Sequence, residues 1–166
     1  MKSRLSDAAH TAAGDVTLIM AAGNRDRGDD AAGPLVLDRL PRPLPPGVTA
    51  VELDDDPLAS LELISASKRV LAVDATRSGA EPGTIWQIQG PAGLEQTAGL
   101  AAGTHQLGIR ELLALAFALG SFPPDVTIYA IEGKDFSLGQ SPSPEVARSI
   151  ADVAAAIARE IGIDLR

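Results

Sequence analysis

The chain has 166 residues, of which 45% are hydrophobic, 22% charged and only 3% aromatic. This size and mix predict one globular unit with a core of Leu, Ile, Val and Ala. The formal net charge is -8 and the pI about 4.6. That argues against a nucleic-acid partner or docking on an anionic membrane, both of which need clustered Lys and Arg. There is no cysteine, which excludes a thiol nucleophile, a thiolate zinc site, an iron–sulfur cluster and any disulfide, and is compatible with a cytoplasmic location.

Taken in chain order, Met1 to Gly14 lacks the apolar stretch of a secretory signal and reads as a flexible polar tail carrying His10, ahead of a single domain over 15–166. No apolar run reaches the roughly 18 residues of a membrane span. Val16 to Ala22 predicts a buried strand, and Asp29 to Leu40 a helix with Leu35, Val36 and Leu40 on one stripe. Pro41, Pro43, Pro45 and Pro46 end it. Val48 to Leu53 is a second strand, leading into Asp54-Asp55-Asp56, and Pro57 opens a short helix through Ser65. Val70 to Val73 is a third strand ending at Asp74.

Thr84 to Gln89 is a further strand, in which Ile85 and Ile88 stand too far apart for clean alternation. Gly90 to Gly103 is rich in Gly and Ala and reads as a loop, whether a plain connection or a substrate contact; Leu107 to Leu119 is an apolar helix, and Val126 to Ile131 the last strand. Ser143 then suits an N-cap, Pro144 the first helical position and Glu145 the positive helix end. Val146, Ile150, Val153, Ile157 and Ile161 mark the buried face of the closing helix. Strands alternating with helices predict an α/β fold with a parallel sheet.

The first strand runs into Gly23-Asn24-Arg25-Asp26-Arg27-Gly28-Asp29-Asp30. Gly23 and Gly28 have the spacing of a phosphate-binding loop, but the Lys and Ser or Thr that should follow are Asp29 and Asp30, which would repel a triphosphate. The dinucleotide fingerprint is also missing, and neither a G-x-S-x-G elbow nor an H-E-x-x-H helix occurs. Asp29 reads as the N-cap of the following helix, which leaves Asp30 for a metal or a proton. Asp74 reads either as a turn former at a strand end or as a ligand at the point where strand order reverses, where it shares a crevice with Asp30. His105 is the only histidine outside the tail and begins an apolar helix, as a structural residue or as a ligand. Two carboxylates and an imidazole suit a divalent ion with open positions.

These motifs resemble those of the hydrogenase maturation proteases. That family opens with an apolar strand and G-N-x-L-x-x-D-[DE]-G-x-G, matched by G-N-R-D-R-G-D-D-A-A-G over Gly23 to Gly33. Its strand ending in Asp is matched by Leu71 to Ala75, its [ST]-H-x-x-x-[LI] helix start by Thr104 to Ile109, and its I-E-G and S-P segments by Ile131 to Val146. The resemblance covers Val16 to Ile161 in order. It implies a three-layer α/β fold, a twisted, mainly parallel five-stranded sheet flanked by helices, phosphorylase/hydrolase-like with a flavodoxin-like strand order. It implies an endopeptidase that removes the C-terminal extension of a nickel–iron hydrogenase large-subunit precursor after nickel insertion, with Asp30, Asp74 and His105 as the catalytic and metal-contacting residues. The implied nickel is carried by the precursor, the precursor is the implied partner, and no organic cofactor is expected. This sequence departs from the motifs at Asp26, where an apolar residue is usual, at Ala31 for a Gly, at Pro142 for a Leu, and at Asp30, where many members have Glu.

Other classes fit parts of the pattern. A phosphoacceptor signalling domain of flavodoxin-like fold would use the acidic residues after the first strand, Asp74 and Lys134, but it puts its acidic pair directly at a strand end and has no role for His105. A non-catalytic relative that binds a metal-loaded partner would share the fold and has no reason to keep all three ligand types.

Overall fold

A computed structural model describes residues 16–53, 56–96, 101–102 and 108–164. The expected tail, Asp54 and Asp55, His105 and Leu107 lie outside the described residues. The first strand, β1 (Thr17–Ala21), leads through the glycine loop into a 3-10 turn (Gly28–Ala31) and helix α1 (Ala32–Asp38). Then follow β2 (Val48–Glu52), α2 (Pro57–Ala66), β3 (Arg69–Arg77), β4 (Ile85–Gln89), α3 (Gly90–Gln96), β5 (Ala101–Ala102), α4 (Ile109–Ala118), β6 (Asp125–Glu132) and α5 (Pro144–Glu160).

The sheet order is β2-β1-β3-β6-β4, with the two-residue β5 pairing the end of β3. β2, β1, β3 and β6 run parallel, while β4 is antiparallel to β6 and β5 antiparallel to β3. The mainly parallel five-stranded expectation is borne out, with β5 as a small addition and an edge strand that runs backwards. β2 lies on one side of β1 and β3 on the other, so strand order reverses between β1 and β3, the place where ligand crevices open in such sheets.

Both faces of the sheet are covered, which is why the central strands are almost wholly apolar. Ile19 and Ala21 of β1, and Leu71, Val73 and Ala75 of β3, pack with Val36 and Leu37 of α1 and with Val146, Ile150, Val153 and Ile157 of α5. Alternate residues point the other way. Leu18, Met20, Val70, Ala72, Ile128 and Ala130 pack with Leu61 and Ile64 of α2 and with Ile109, Leu112 and Leu113 of α4. The predicted stripe of α5 is buried from Val146 to Ile157, and Ile161 packs against it partly exposed.

Three expectations are corrected. Asp74 is not at a strand end: β3 continues to Arg77 because β6 runs beside it as far as Glu132. Pairing of β3 with β1, however, stops at Val73, so Asp74 is the first residue beyond the β1 side of the ladder. Gly90 to Gln96 is a helix rather than a loop; it packs on β4, with Gly93 close against Ile88. Asp29 to Leu40 is not one helix, since the 3-10 turn carries Asp29 and Asp30 and α1 begins at Ala32.

Glycine fixes how α1 meets the sheet. A Cβ on Gly33 would overlap the carbonyl oxygen of Ala22 and come within 3.0 Å of that of Val73. These are backbone atoms, so no rotamer change relieves the crowding. Gly33→Ala is therefore expected to destabilise the protein by roughly 1–3 kcal/mol, measured as a lower urea midpoint with an unchanged slope.

Candidate active site

The amide of Ala22 donates to the carbonyl of Val73 at 2.9 Å, and the chain then leaves β1 through Gly23, whose φ is +138°. Only glycine tolerates this conformation, and a Cβ there would collide with the carbonyl of Asp30. The loop thus folds back so that the Asp30 turn sits against the strand end. Its closure is helped by the amide of Asp30 donating to Arg27 at 3.0 Å.

Asp30 is fully buried and Asp74 is 7% exposed. Burial pushes the Asp74 carboxyl up to about 7, and the neighbouring charge of Asp30 adds to the rise. A backbone hydrogen bond from Ala75 works against it, and from α4 the charge of Glu111 raises it and that of Arg110 lowers it. The Oδ1 atom of Asp74 has no hydrogen-bond partner among the described residues. A carboxyl held near neutrality in a crevice can take or give a proton at working pH. Asp30 and Asp74 are therefore brought together as expected. Among the described residues there is no group of three or more His, Cys, Asp or Glu placed to hold a metal; the third expected ligand, His105, lies outside them.

Asp29 is not the cap of its own helix, for neither the 3-10 turn nor α1 has a side-chain cap. Its fully buried carboxylate accepts from the amides of Lys134 at 2.7 Å, Asp135 at 2.8 Å and Ser143 at 2.6 Å, and from the Ser143 hydroxyl at 3.1 Å. The Ser143 side chain, placed as an N-cap ahead of Pro144, serves Asp29 instead of its own helix. Backbone bonds from Asp29 to Asp135, Gly28 to Gln140 and Gly139 to Asp26 reinforce the clamp. Glu132, 1% exposed, acts similarly on the loop after β3, accepting from the Ser78 amide and hydroxyl, both at 2.7 Å, and from the Gly79 amide at 2.9 Å. Sequence reasoning missed both roles. The donors to Asp29 lie 105 to 114 residues away, so no local pattern could reveal them.

Two buried carboxylates sit at the reversal point of an open, mainly parallel sheet, an arrangement able to serve acid–base or metal-directed chemistry. The chain belongs to the hydrogenase maturation protease family: the family model described as HycI, hydrogenase maturation protease, matches residues 42–160. It is an endopeptidase. The match includes Asp74 and His105 in its span, while Asp30 precedes it. The hydrogenase maturating endopeptidase HybD from E. coli superposes with a TM-score of 0.72 at 19% identity, over 90% of this chain and 95% of that one. The [NiFe] hydrogenase maturation protease HycI from Thermococcus kodakarensis KOD1 gives a TM-score of 0.67 at 27% identity, over 88% and 91%. The HybD protease from Thermococcus kodakarensis gives 0.68 at 24%, over 88% and 98%. No curated protein sequence matches the chain. Membership sets aside the signalling-domain reading.

Two outcomes follow. The folded chain keeps Asp74 protonated up to about pH 7, whereas an unfolded Asp ionises near 4. The contribution of Asp74 to stability is therefore complete below about pH 4 and is lost as pH rises towards 7. Asp74→Asn is expected to leave the unfolding free energy of the metal-free protein nearly unchanged at pH 4 and to raise it at pH 8 by a few kcal/mol at most; calorimetry at both pH values checks this. Asp29→Asn, in contrast, turns an amide NH2 towards amide donors, and is expected to cost roughly 2–4 kcal/mol in urea unfolding.

Proposed function

We propose that the protein removes the C-terminal extension of a nickel–iron hydrogenase large-subunit precursor once nickel has been inserted, and that Asp30, Asp74 and His105 act on the metal-bearing end of that precursor. The observation that carries this reading is the buried pair itself. Asp74 is nine-tenths or more buried, raised by the charge of Asp30, and left with an oxygen lacking a hydrogen-bond partner among the described residues. Such a pair is costly for a metal-free fold and is relieved when a cation arrives. Two carboxylate oxygens and an imidazole nitrogen form a donor set suited to a borderline divalent ion such as nickel.

The family's [ST]-H-x-x-x-[LI] motif over Thr104 to Ile109 supports including His105. Ala102 pairs with Thr76, two residues beyond Asp74, and Arg110 and Glu111 of α4 act electrostatically on Asp74. In sequence His105 falls in the segment between Ala102 and Gly108, outside the described residues. In this reading the incoming ion neutralises the carboxylate pair, and a carboxylate acts as general base on the water that attacks the scissile carbonyl. The nickel belongs to the substrate, which lets the protease keep a modest and open set of ligands and test whether the precursor is loaded. No described helix is long and apolar enough to cross a membrane, and the reaction is read as cytoplasmic, where the precursor would be assembled.

The test is cleavage of nickel-loaded and nickel-free large-subunit precursor, read by mass spectrometry. A C-terminal peptide is expected from the loaded form alone. Asp30→Asn, Asp74→Asn and His105→Ala are each expected to lower the rate at least 100-fold, the scale of removing one catalytic group. Wild-type rates in Asp74→Asn or His105→Ala would sink the site assignment, and equal cleavage of both precursors would sink the nickel checkpoint.

A further inference from the structure

The loop that carries Asp30 into the site has no apolar anchor. Residues 24–27 are Asn, Arg, Asp and Arg, so burial of a hydrocarbon side chain cannot hold them down. Polar contacts do so instead. Towards β6, the Gly139 amide donates to the Asp26 carbonyl at 2.7 Å, and Arg27 Nε donates to the Phe136 carbonyl at 3.3 Å. β2 lies on the other side of β1, and Arg25 reaches that way. Its Nη1 donates to Oδ2 of Asp38 at 2.7 Å and its Nη2 to Oδ1 at 2.9 Å, the paired fork that suits guanidinium and carboxylate. Asp38 is the last residue of α1. Another edge of the guanidinium meets Glu52, the last residue of β2, through Nη2 at 2.5 Å and Nε at 3.2 Å.

An isolated ion pair at a surface contributes little. Here one rigid planar group is engaged on two edges, by carboxylates from two different elements, which fixes its orientation as well as its place. The guanidinium also holds the Asp38 carboxyl below its ordinary value, so this contact stays ionised near neutral pH. The backbone relays the anchor to Asp30. The Asp26 amide donates to Asn24 Oδ1 at 2.9 Å, the Arg27 amide to the Asn24 carbonyl at 3.1 Å, and the Asp30 amide to the Arg27 carbonyl at 3.0 Å. Arg25 thus sits inside a short chain of turns that ends at Asp30.

We propose that Arg25 is a positioning residue for the endopeptidase reaction: by pinning the glycine loop to α1 and β2, it sets where the Asp30 carboxylate stands beside Asp74. The inference rests on the reading of Asp30 as part of the active site. The anchor is electrostatic and open to solvent, with the Arg25 side chain 42% exposed, so salt weakens it. The turnover step therefore carries a salt dependence of its own, separate from any effect of salt on docking of the precursor.

The test uses the full-length protein acting on nickel-loaded precursor. Arg25→Gln is expected to lower kcat about tenfold with KM little changed, since small misplacements of a catalytic group cost this much or more. Arg25→Lys keeps the charge but not the fork, and is expected to recover part of the loss. Glu52→Gln is expected to lower kcat in the wild-type chain and to add nothing in Arg25→Gln protein. Raising sodium chloride from about 0.05 M to about 1 M is expected to lower the wild-type kcat severalfold and to leave that of Arg25→Gln unchanged. Circular dichroism and melting temperature check that the variants fold. A wild-type kcat in folded Arg25→Gln overturns the proposal. So does a change confined to KM, which would make Arg25 a contact for the precursor, or a salt dependence of kcat that survives the substitution. Failure of the underlying site reading has a different signature, namely wild-type cleavage by Asp30→Asn.

Discussion

The buried carboxylate of Asp29 takes hydrogen bonds from three amides and a hydroxyl on the segment between β6 and α5. It ties the loop after the first strand to the loop after the last. Charge-assisted bonds of this kind are the strong ones, and in a dry interior their loss leaves several donors without partners at once. The turn that carries Asp30 is held on one side by this clamp and on the other by the contact of Gly23 with the Asp30 carbonyl. Asp30 can therefore be kept beside Asp74 although their charges repel, because its backbone is anchored by groups that take no part in the repulsion.

Asp29 and Asp74 thus divide labour. Asp29 is stabilised by fixed donors and holds structure together. Asp74, buried against Asp30, is kept in a protonation state that an isolated carboxyl would not have at neutral pH. Strain of this sort persists only where the surroundings over-determine the geometry, and here the parallel sheet, buried on both faces, supplies the rigid frame.

Much of the fold was legible in the sequence because burial leaves patterns. β1 and β3 are covered on both faces and read as unbroken apolar runs, while α5 is covered on one and reads as a stripe of period 3.6. Legibility failed where long-range contacts override local preference. Asp-Ala-Thr-Arg, residues 74–77, does not look like the end of a buried strand, yet β6 holds it in the sheet. Gly90, Pro91 and Gly93 disfavour a helix, yet α3 forms by packing on β4. At the site, chemistry and strand order pointed to Asp30 and Asp74 as a pair, but the same local pattern assigned Asp29 to a cap, because a cap is the commonest use of an Asp before a helix. The backward direction of β4 is not encoded by its short and irregular apolar pattern.

The contact of Gly33 with the backbone of Ala22 and Val73 has an evolutionary consequence. It sets the height of α1 above the sheet by atoms that every amino acid shares, not by the bulk of any side chain. Core residues elsewhere can then be exchanged over generations, larger for smaller, without moving the turn ahead of α1 relative to β3. The fold stays superposable on the E. coli protein although only 19% of residues are identical.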